Sequence, residues 1–299
     1  DLLRWVKSYL YNRTQLVLIN GYKSSPIVVT SGVPQGSNLG PLLFLIFIND
    51  LGSKLNCDYA FFADDLKIFR KIKSVSDHQL LQNDLDTLNN WCTVNDMHLN
   101  VEKCYILNFT RNRIIKDFSY VINNIILKKV SSIRDLGITL DSKFIFDVHI
   151  KNIKCKSLKM MGFIHRICKP FKDPQSILTL YNAVIRSKLE YGSTIWNPHY
   201  CKYENIVESV QKKLLRMLSF KCGLHDHLRS YDVRRYYFKI NTLKTRRQLT
   251  DLICLHKIIH GHLDTTLCLN SIEINVPNSH CLRRHNIFHM NTFKKDRVR

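Results

Sequence analysis

The chain has 299 residues, more than one ordinary domain needs, and carries 45 Lys and Arg against 24 Asp and Glu for a net charge of +21. Its ten cysteines are scattered without a Cys-x-x-Cys pair, which argues against a disulfide framework or a zinc ribbon and fits reduced thiols. The apolar run at 42–48 is far too short to cross a bilayer and Arg4 and Lys7 interrupt the apolar start, so neither a membrane span nor a secretory signal is expected; these features do not set the compartment, and only the reduced thiols fit a nuclear or cytoplasmic setting.

In chain order, an opening helix leads into a strand pair around 15–19 and 27–30. Then comes Thr30-Ser31-Gly32-Val33-Pro34-Gln35-Gly36-Ser37-Asn38-Leu39-Gly40-Pro41. Glycines every four residues with prolines among them specify a backbone path, here one leading into a buried helix after Gly40. Glycine lets a main chain approach a ligand closely, and Gln35 offers an amide donor and an acceptor, so the loop suits contact with a nucleotide as well as a plain structural turn. Asp50, at the end of that helix, reads as a structural cap or a solvated residue.

Phe61-Phe62-Ala63-Asp64-Asp65-Leu66-Lys67-Ile68-Phe69 follows. Aspartate disfavours strands, so a pair of them between β-favouring residues predicts a tight hairpin whose tip presents both acids at one point. Carboxylates that close repel each other and titrate as a pair, which a divalent cation between them relieves; ligands that are all oxygen favour a hard cation such as magnesium. A solvated turn is the alternative. A helix at 77–95 and strands at 104–109, 118–122 and 132–140 complete an α+β layer of antiparallel strands backed by helices on one face.

Beyond 141 the pattern turns helical, around 152–168, 174–189, 206–218 and 243–260. Apolar residues at 206, 207, 210, 214, 217 and 218 mark one face of a helix, and Lys212, Lys213 and Arg216 fall outside it. Residues 1–150 hold 17 basic and 14 acidic side chains, whereas 151–299 hold 28 and 10, so the polyanion-binding charge lies in the second half. A helix of this kind packs by its apolar face and offers its cations to a phosphate backbone. Cys254, His256, His260 and His262 read as helix packing and surface imidazoles, because a zinc site takes three or four convergent ligands at defined spacing. The expected organisation is 1–140, 141–270 and an irregular basic tail at 271–299.

Taken together, Ser31-Gly32-Val33-Pro34-Gln35-Gly36-Ser37 with Leu39-Gly40-Pro41-Leu42-Leu43-Phe44 resembles motif B, and Phe62-Ala63-Asp64-Asp65 resembles motif C, of the reverse transcriptases of non-LTR retrotransposons, most closely the jockey-type elements of arthropods. Leu85-Asp86-Thr87-Leu88-Asn89-Asn90-Trp91-Cys92 and Leu99-Asn100-Val101-Glu102-Lys103-Cys104 are similar to motif D, Asp135-Leu136-Gly137-Ile138 to the primer-grip hairpin, and Ile185-Arg186-Ser187-Lys188-Leu189-Glu190-Tyr191-Gly192 with Trp196-Asn197-Pro198 to the segment beyond the palm. The resemblance implies a polymerase palm followed by a helical thumb-like region, and nucleotidyl transfer to a primer 3′ hydroxyl with two Mg2+ ions about 3.5–4 Å apart. It makes Asp64 the ligand of both metals and Asp65 a weaker one. Lys103 becomes a charge stabiliser or proton donor at the pyrophosphate, or else a solvated lysine, and Gly32, Pro34, Gln35, Gly36, Phe62 and Ala63 become contacts to nucleotide and template. The implied partners are an RNA template, a DNA primer or RNA–DNA hybrid, and deoxynucleoside triphosphates. The family's motif A, with a further metal-binding Asp, and its fingers are missing, as is an initiator Met, so the chain is expected to be cut from a longer element, to hold half a metal site and not to polymerise alone. A non-catalytic nucleic-acid-binding remnant is the alternative.

Overall fold

A computed structural model of the chain describes residues 1–110, 118–171, 173–224, 226–263, 268, 269 and 272. The expected basic tail therefore lies almost wholly outside the described residues. Two compact units emerge: residues 1–106 with 118–130, and residues 107–110 with the described residues from 131 onward.

The first unit runs from α1 (Leu2–Leu10) through the short strands β1 (Thr14–Gln15), β2 (Leu18–Ile19), β3 (Tyr22–Lys23) and β4 (Ile27–Val28), where β1 pairs with β4 and β2 with β3. The glycine-rich loop then enters α2 (Gly40–Gly52), followed by β5 (Asp58–Phe62), β6 (Asp65–Phe69) and α3 (Val75–Val94). A 3-10 turn at Val101–Lys103 precedes β7 (Tyr105–Leu107), and β8 (Val121–Ile122), β9 (Ile125–Ile126) and β10 (Lys128–Val130) close the unit.

The centre of this unit is α3. Its start is fixed by Asp77, whose carboxylate accepts the backbone N–H groups of Lys73 and Ser74 at 2.9 Å and pairs with Arg70, bonds that hold it well below the usual carboxylate range. One side buries Leu88, Trp91 and Cys92 against Ile48 and Leu51 of α2, with Phe61, Leu66 and Ile68 of the β5–β6 hairpin on the same cluster. Another side, with Leu81 and Leu85, meets Tyr120, Ile122 and Leu127, and His78 Nδ1 lies 2.8 Å from the Tyr120 hydroxyl.

Two expectations need correction. The helix after Gly40 is not buried all round: only Gly40, Ile48, Leu51 and Gly52 are, and Ile46 is 64% exposed, because α3 and the hairpin cover a single side of a helix that is apolar on every side. Nor do the strands join into one antiparallel layer. Among the described residues they form six separate two-stranded ladders, most closed by a local turn, and most strands are only two to four residues long.

The second unit begins with the hairpin of β11 (Ser132–Asp135) and β12 (Ile138–Asp141), turned by Leu136 and Gly137, both with positive φ. The single strand expected over 132–140 is thus two, and Ile138 belongs to the helical core. That core is built from α4 (Asp147–Ile167), α5 (Pro174–Leu180), a π-helical stretch at Tyr181–Arg186, α6 (Ser187–Glu190), α7 (Ser193–Trp196), α8 (Cys201–Lys221), α9 (Tyr231–Tyr237) and α10 (Leu243–Ile259). Among the described residues no helix is long and apolar enough to cross a membrane, and nine cysteines are free thiols.

Asp84, fully buried on α3, accepts the Asn56 and Cys57 backbone N–H groups at 3.0 and 2.6 Å and the Asn56 amide at 3.2 Å. Burial alone would raise its proton affinity, but these bonds outweigh it and hold the carboxyl below 3.8. Asp84→Asn is expected to destabilise the chain by about 1.5–3 kcal/mol in chemical denaturation, since a charged acceptor is lost at a buried site. Because the folded state holds Asp77 and Asp84 below their ordinary value of 3.8, their stabilisation is complete well above that pH and lost as pH falls through and below it, and Asp84→Asn should flatten that acid limb.

Candidate active site

In the β5–β6 hairpin Phe62 pairs with Asp65, so Ala63 and Asp64 form a two-residue turn. Asp64 sits at the apex with Asp65 as the first residue of β6, and both are exposed. Ala63 adopts a φ of +52°, a left-handed conformation that costs a side-chain-bearing residue about 1 kcal/mol. The hairpin is anchored at its far end, where Asp84 grips Asn56 and Cys57 just before β5. The same burial, with Asp84 beside it, pushes the Cys57 thiol up to about 11, so it stays neutral. Phe61, Leu66 and Ile68 face the core while Phe62 is 59% exposed beside the acids.

The glycine-rich loop is built as a tight path. Gly32 and Gly36 have φ of +75° and +78°, and the Ser37 hydroxyl donates to the Pro34 carbonyl at 2.8 Å while accepting the Gly40 N–H at 2.9 Å. A Cβ on Gly40 would stand 2.9 Å from the Pro34 carbonyl oxygen, which explains the third glycine of the series. Gln35 and Gly36 are exposed. Sequence reasoning missed the clamp on this loop: the Arg13 guanidinium donates to the carbonyls of Ser31, at 3.1 Å, and Gly32, and to that of Leu10 at the end of α1. A contact across 18 residues leaves no periodic trace in the sequence.

Asp50 proves structural. It accepts the Trp91 indole N–H at 3.1 Å and pairs with Lys54, the indole bond chiefly holding its carboxyl low and tying α2 to α3. Lys103 is exposed on the 3-10 turn, and no hydrogen bond or ion pair among the described residues joins it, or the loop, to the acidic tip. Two adjacent, exposed oxygen donors fit a hard divalent cation. No group of three His, Cys, Asp or Glu that could hold a metal occurs among the described residues. The His256 and His260 rings meet at a tilt, with centroids 4.2 Å apart, at the C-terminal end of α10.

In the second unit, Lys212, Lys213 and Arg216 project from α8 as the period required, while Val207, Val210, Leu214, Leu215 and Leu218 are buried.

The family model described as Reverse transcriptase (RNA-dependent DNA polymerase) matches residues 2–164, more than half of the chain, and takes in both the loop and the acidic hairpin. The chain belongs to the reverse transcriptase family. It is 30% identical over 242 residues to the RNA-directed DNA polymerase from mobile element jockey of Drosophila melanogaster, covering 77% of the chain and 26% of that protein. It is 26% identical to the enzyme of the same name from Drosophila funebris, over 78% of the chain and 26% of that protein, and 28% identical to the probable RNA-directed DNA polymerase from transposon BS, also of Drosophila melanogaster, over 72% of the chain and 25% of that protein. The chain thus spans about a quarter of the length of these relatives. A likeness over 77% of the chain exceeds the span of the family model, so it runs into the helical unit. No solved structure matches.

Arg13→Ala is expected to speed amide exchange at residues 31–37 by about tenfold, the worth of one to two net hydrogen bonds, and to leave the β5–β6 hairpin unchanged. Equal exchange in both proteins would show that Arg13 does not hold the loop.

Proposed function

We propose that this chain contributes the palm, over 1–140, and a helical thumb, over 141–270, to an RNA-directed DNA polymerase of a non-LTR retrotransposon. The reaction is transfer of a deoxynucleotide to a primer 3′ hydroxyl along an RNA template. The observation that supports it best is Asp64 at the apex of an exposed turn, with Asp65 beside it and the base of the hairpin gripped from within.

Each residue then has a task. Asp64 holds the cations and Asp65 supports it. Magnesium, when bound, supplies charge stabilisation to the attacking and leaving oxygens. Gly32, Pro34, Gln35 and Gly36 let the main chain lie close to the incoming nucleotide, and Phe62 and Ala63 face nucleotide and template. Lys103 meets the charge of the departing pyrophosphate. Lys212, Lys213 and Arg216 meet the phosphates of the nucleic acid, with the basic residues of 271–299 as further countercharge.

Two carboxylates do not surround two cations, and no third ligand joins them among the described residues. We therefore hold that this chain alone does not extend a primer, and the same observation favours the second reading, a nucleic-acid binder without catalysis.

Primer extension on an RNA template with Mg2+ separates the two. The expected result is no extension by the chain alone, extension when it is joined to the preceding part of a jockey-type polymerase, and a loss of about a hundredfold or more in the joined protein on Asp64→Ala. Extension unaffected by Asp64→Ala would refute the role of the tip. No extension by the joined protein, with nucleic-acid binding retained, would favour the binder.

A further inference from the structure

The turn between β11 and β12 is built against local preference. Asp135 pairs with Ile138, so Leu136 and Gly137 form a two-residue turn in which both have positive φ, +43° and +87°. Turns of this kind favour Asn-Gly, because a bulky side chain in the left-handed region crowds its own backbone. Leu136 occupies the first place all the same and is 39% exposed. Residues held this way persist only where the surroundings over-determine them, and they cluster at sites that hold a ligand.

The surroundings here are the junction of α6 and α7. Tyr191 has φ −57° and ψ 122° and Gly192 has φ 61° and ψ 22°, a sharp turn that calls for glycine at its second place. The Tyr191 hydroxyl donates to the Leu136 carbonyl at 2.9 Å, across 55 residues of chain. Two glycines make the fit reciprocal: a Cβ on Gly137 would stand 3.3 Å from the Tyr191 ring, and one on Gly192 would stand 2.5 Å from the Ile138 side chain. The junction is itself fixed, since the buried Trp196 indole donates to the Tyr191 carbonyl at 2.8 Å. Beside the turn, the Thr139 N–H donates to His149 Nδ1 at 3.2 Å, and the His149 ring lies 5.3 Å from that of Trp196. Hairpin tip, α4 and the α6–α7 junction thus close a ring of contacts within the second unit.

A tyrosine that served only the helical core would turn its hydroxyl inward, whereas Tyr191 is 58% exposed and directs it to the tip of a hairpin. Resting on the likeness of 135–138 to a primer-grip hairpin, we propose that Tyr191 is a positioning residue for the primer. Acting through the Leu136 carbonyl, it holds the exposed turn in the conformation that meets the primer end, and it fastens that turn to the unit carrying Lys212, Lys213 and Arg216. Primer end and flanking phosphates are then held by one body.

A DNA primer with 4-thiothymidine as its 3′ nucleotide, annealed to an RNA template and irradiated with the full chain, tests this by mass spectrometry of the cross-linked peptide. The expected result is a cross-link within 135–138 that Tyr191→Phe reduces by about threefold or more, the worth of one net hydrogen bond. Affinity for the hybrid, by fluorescence anisotropy, should stay within about twofold, because the phosphate contacts are untouched. Tyr191→Phe keeps the ring against Gly137, and unchanged circular dichroism checks that the fold is kept. In a Leu136→Asn background, where the turn suits its first residue unaided, Tyr191→Phe should no longer reduce the cross-link. An undiminished cross-link in Tyr191→Phe, or an equal reduction in the Leu136→Asn background, would overturn the role of Tyr191 and leave the primer reading of the hairpin standing. A cross-link of the unaltered chain that avoids 135–138, or none, would overturn both.

Discussion

The buried carboxylate of Asp84 is the constraint on which the acidic hairpin depends. A charge placed inside a small unit is costly unless donors surround it, and here the donors are the backbone N–H groups immediately before β5. The start of the strand is thereby locked to the middle of α3. About two turns further along, Trp91 binds Asp50 and so locks α2 to the same helix. The glycine-rich loop feeds α2 directly, and Arg13 ties that loop to the end of α1. Loop, apolar helix and acidic hairpin are thus each fastened by a charged group.

The second unit is fastened in the same manner, by polar groups inside an apolar core. Gln211 accepts from the Tyr181 hydroxyl at 2.9 Å and donates to Tyr231 and to the Asn241 carbonyl, while Glu208 accepts from the Tyr231 hydroxyl and the Leu243 N–H. Asn197 bridges Arg247 and Asp251, Arg246 pairs with Glu190, and the Trp196 indole donates to the Tyr191 carbonyl. These bonds explain why the segment from Ile185 to Asn197 carries polar residues at fixed places: they fix how α6, α7, α8 and α10 meet. With its buried side so specified, α8 keeps its cations turned outward.

What was legible in the sequence is what has a short period or a strong local preference. A pair of strand-disfavouring aspartates between β-favouring residues gave the hairpin, and the 3.6-residue spacing at 206–218 gave both the buried and the basic face of α8. The helices expected at 77–95, 152–168, 174–189 and 243–260 are present within a few residues. Asp84 and Arg13 were not legible, because a buried charge and a loop clamp look like any solvated side chain until their partners, 27 and 18 residues away, are known. The exposure of α2 was misread for another reason. An apolar run signals that a surface is to be covered, and it does not say by what; in this unit α3 and one hairpin reach a single side of it. The continuous antiparallel layer failed likewise, since strand patterns predict strands and not which of them pair.

A preformed oxygen site at the apex of the β5–β6 turn is the claim that matters most. Titrating Mn2+ into the isotopically labelled chain and following paramagnetic broadening of amide signals measures it directly, since carboxylate sites that take Mg2+ also take Mn2+. A preformed site predicts broadening centred on Phe62 to Leu66 at substoichiometric metal, lost on Asp64→Ala and displaced by Mg2+. Broadening spread over the surface acids, or centred on the turn but unchanged in Asp64→Ala, would contradict it.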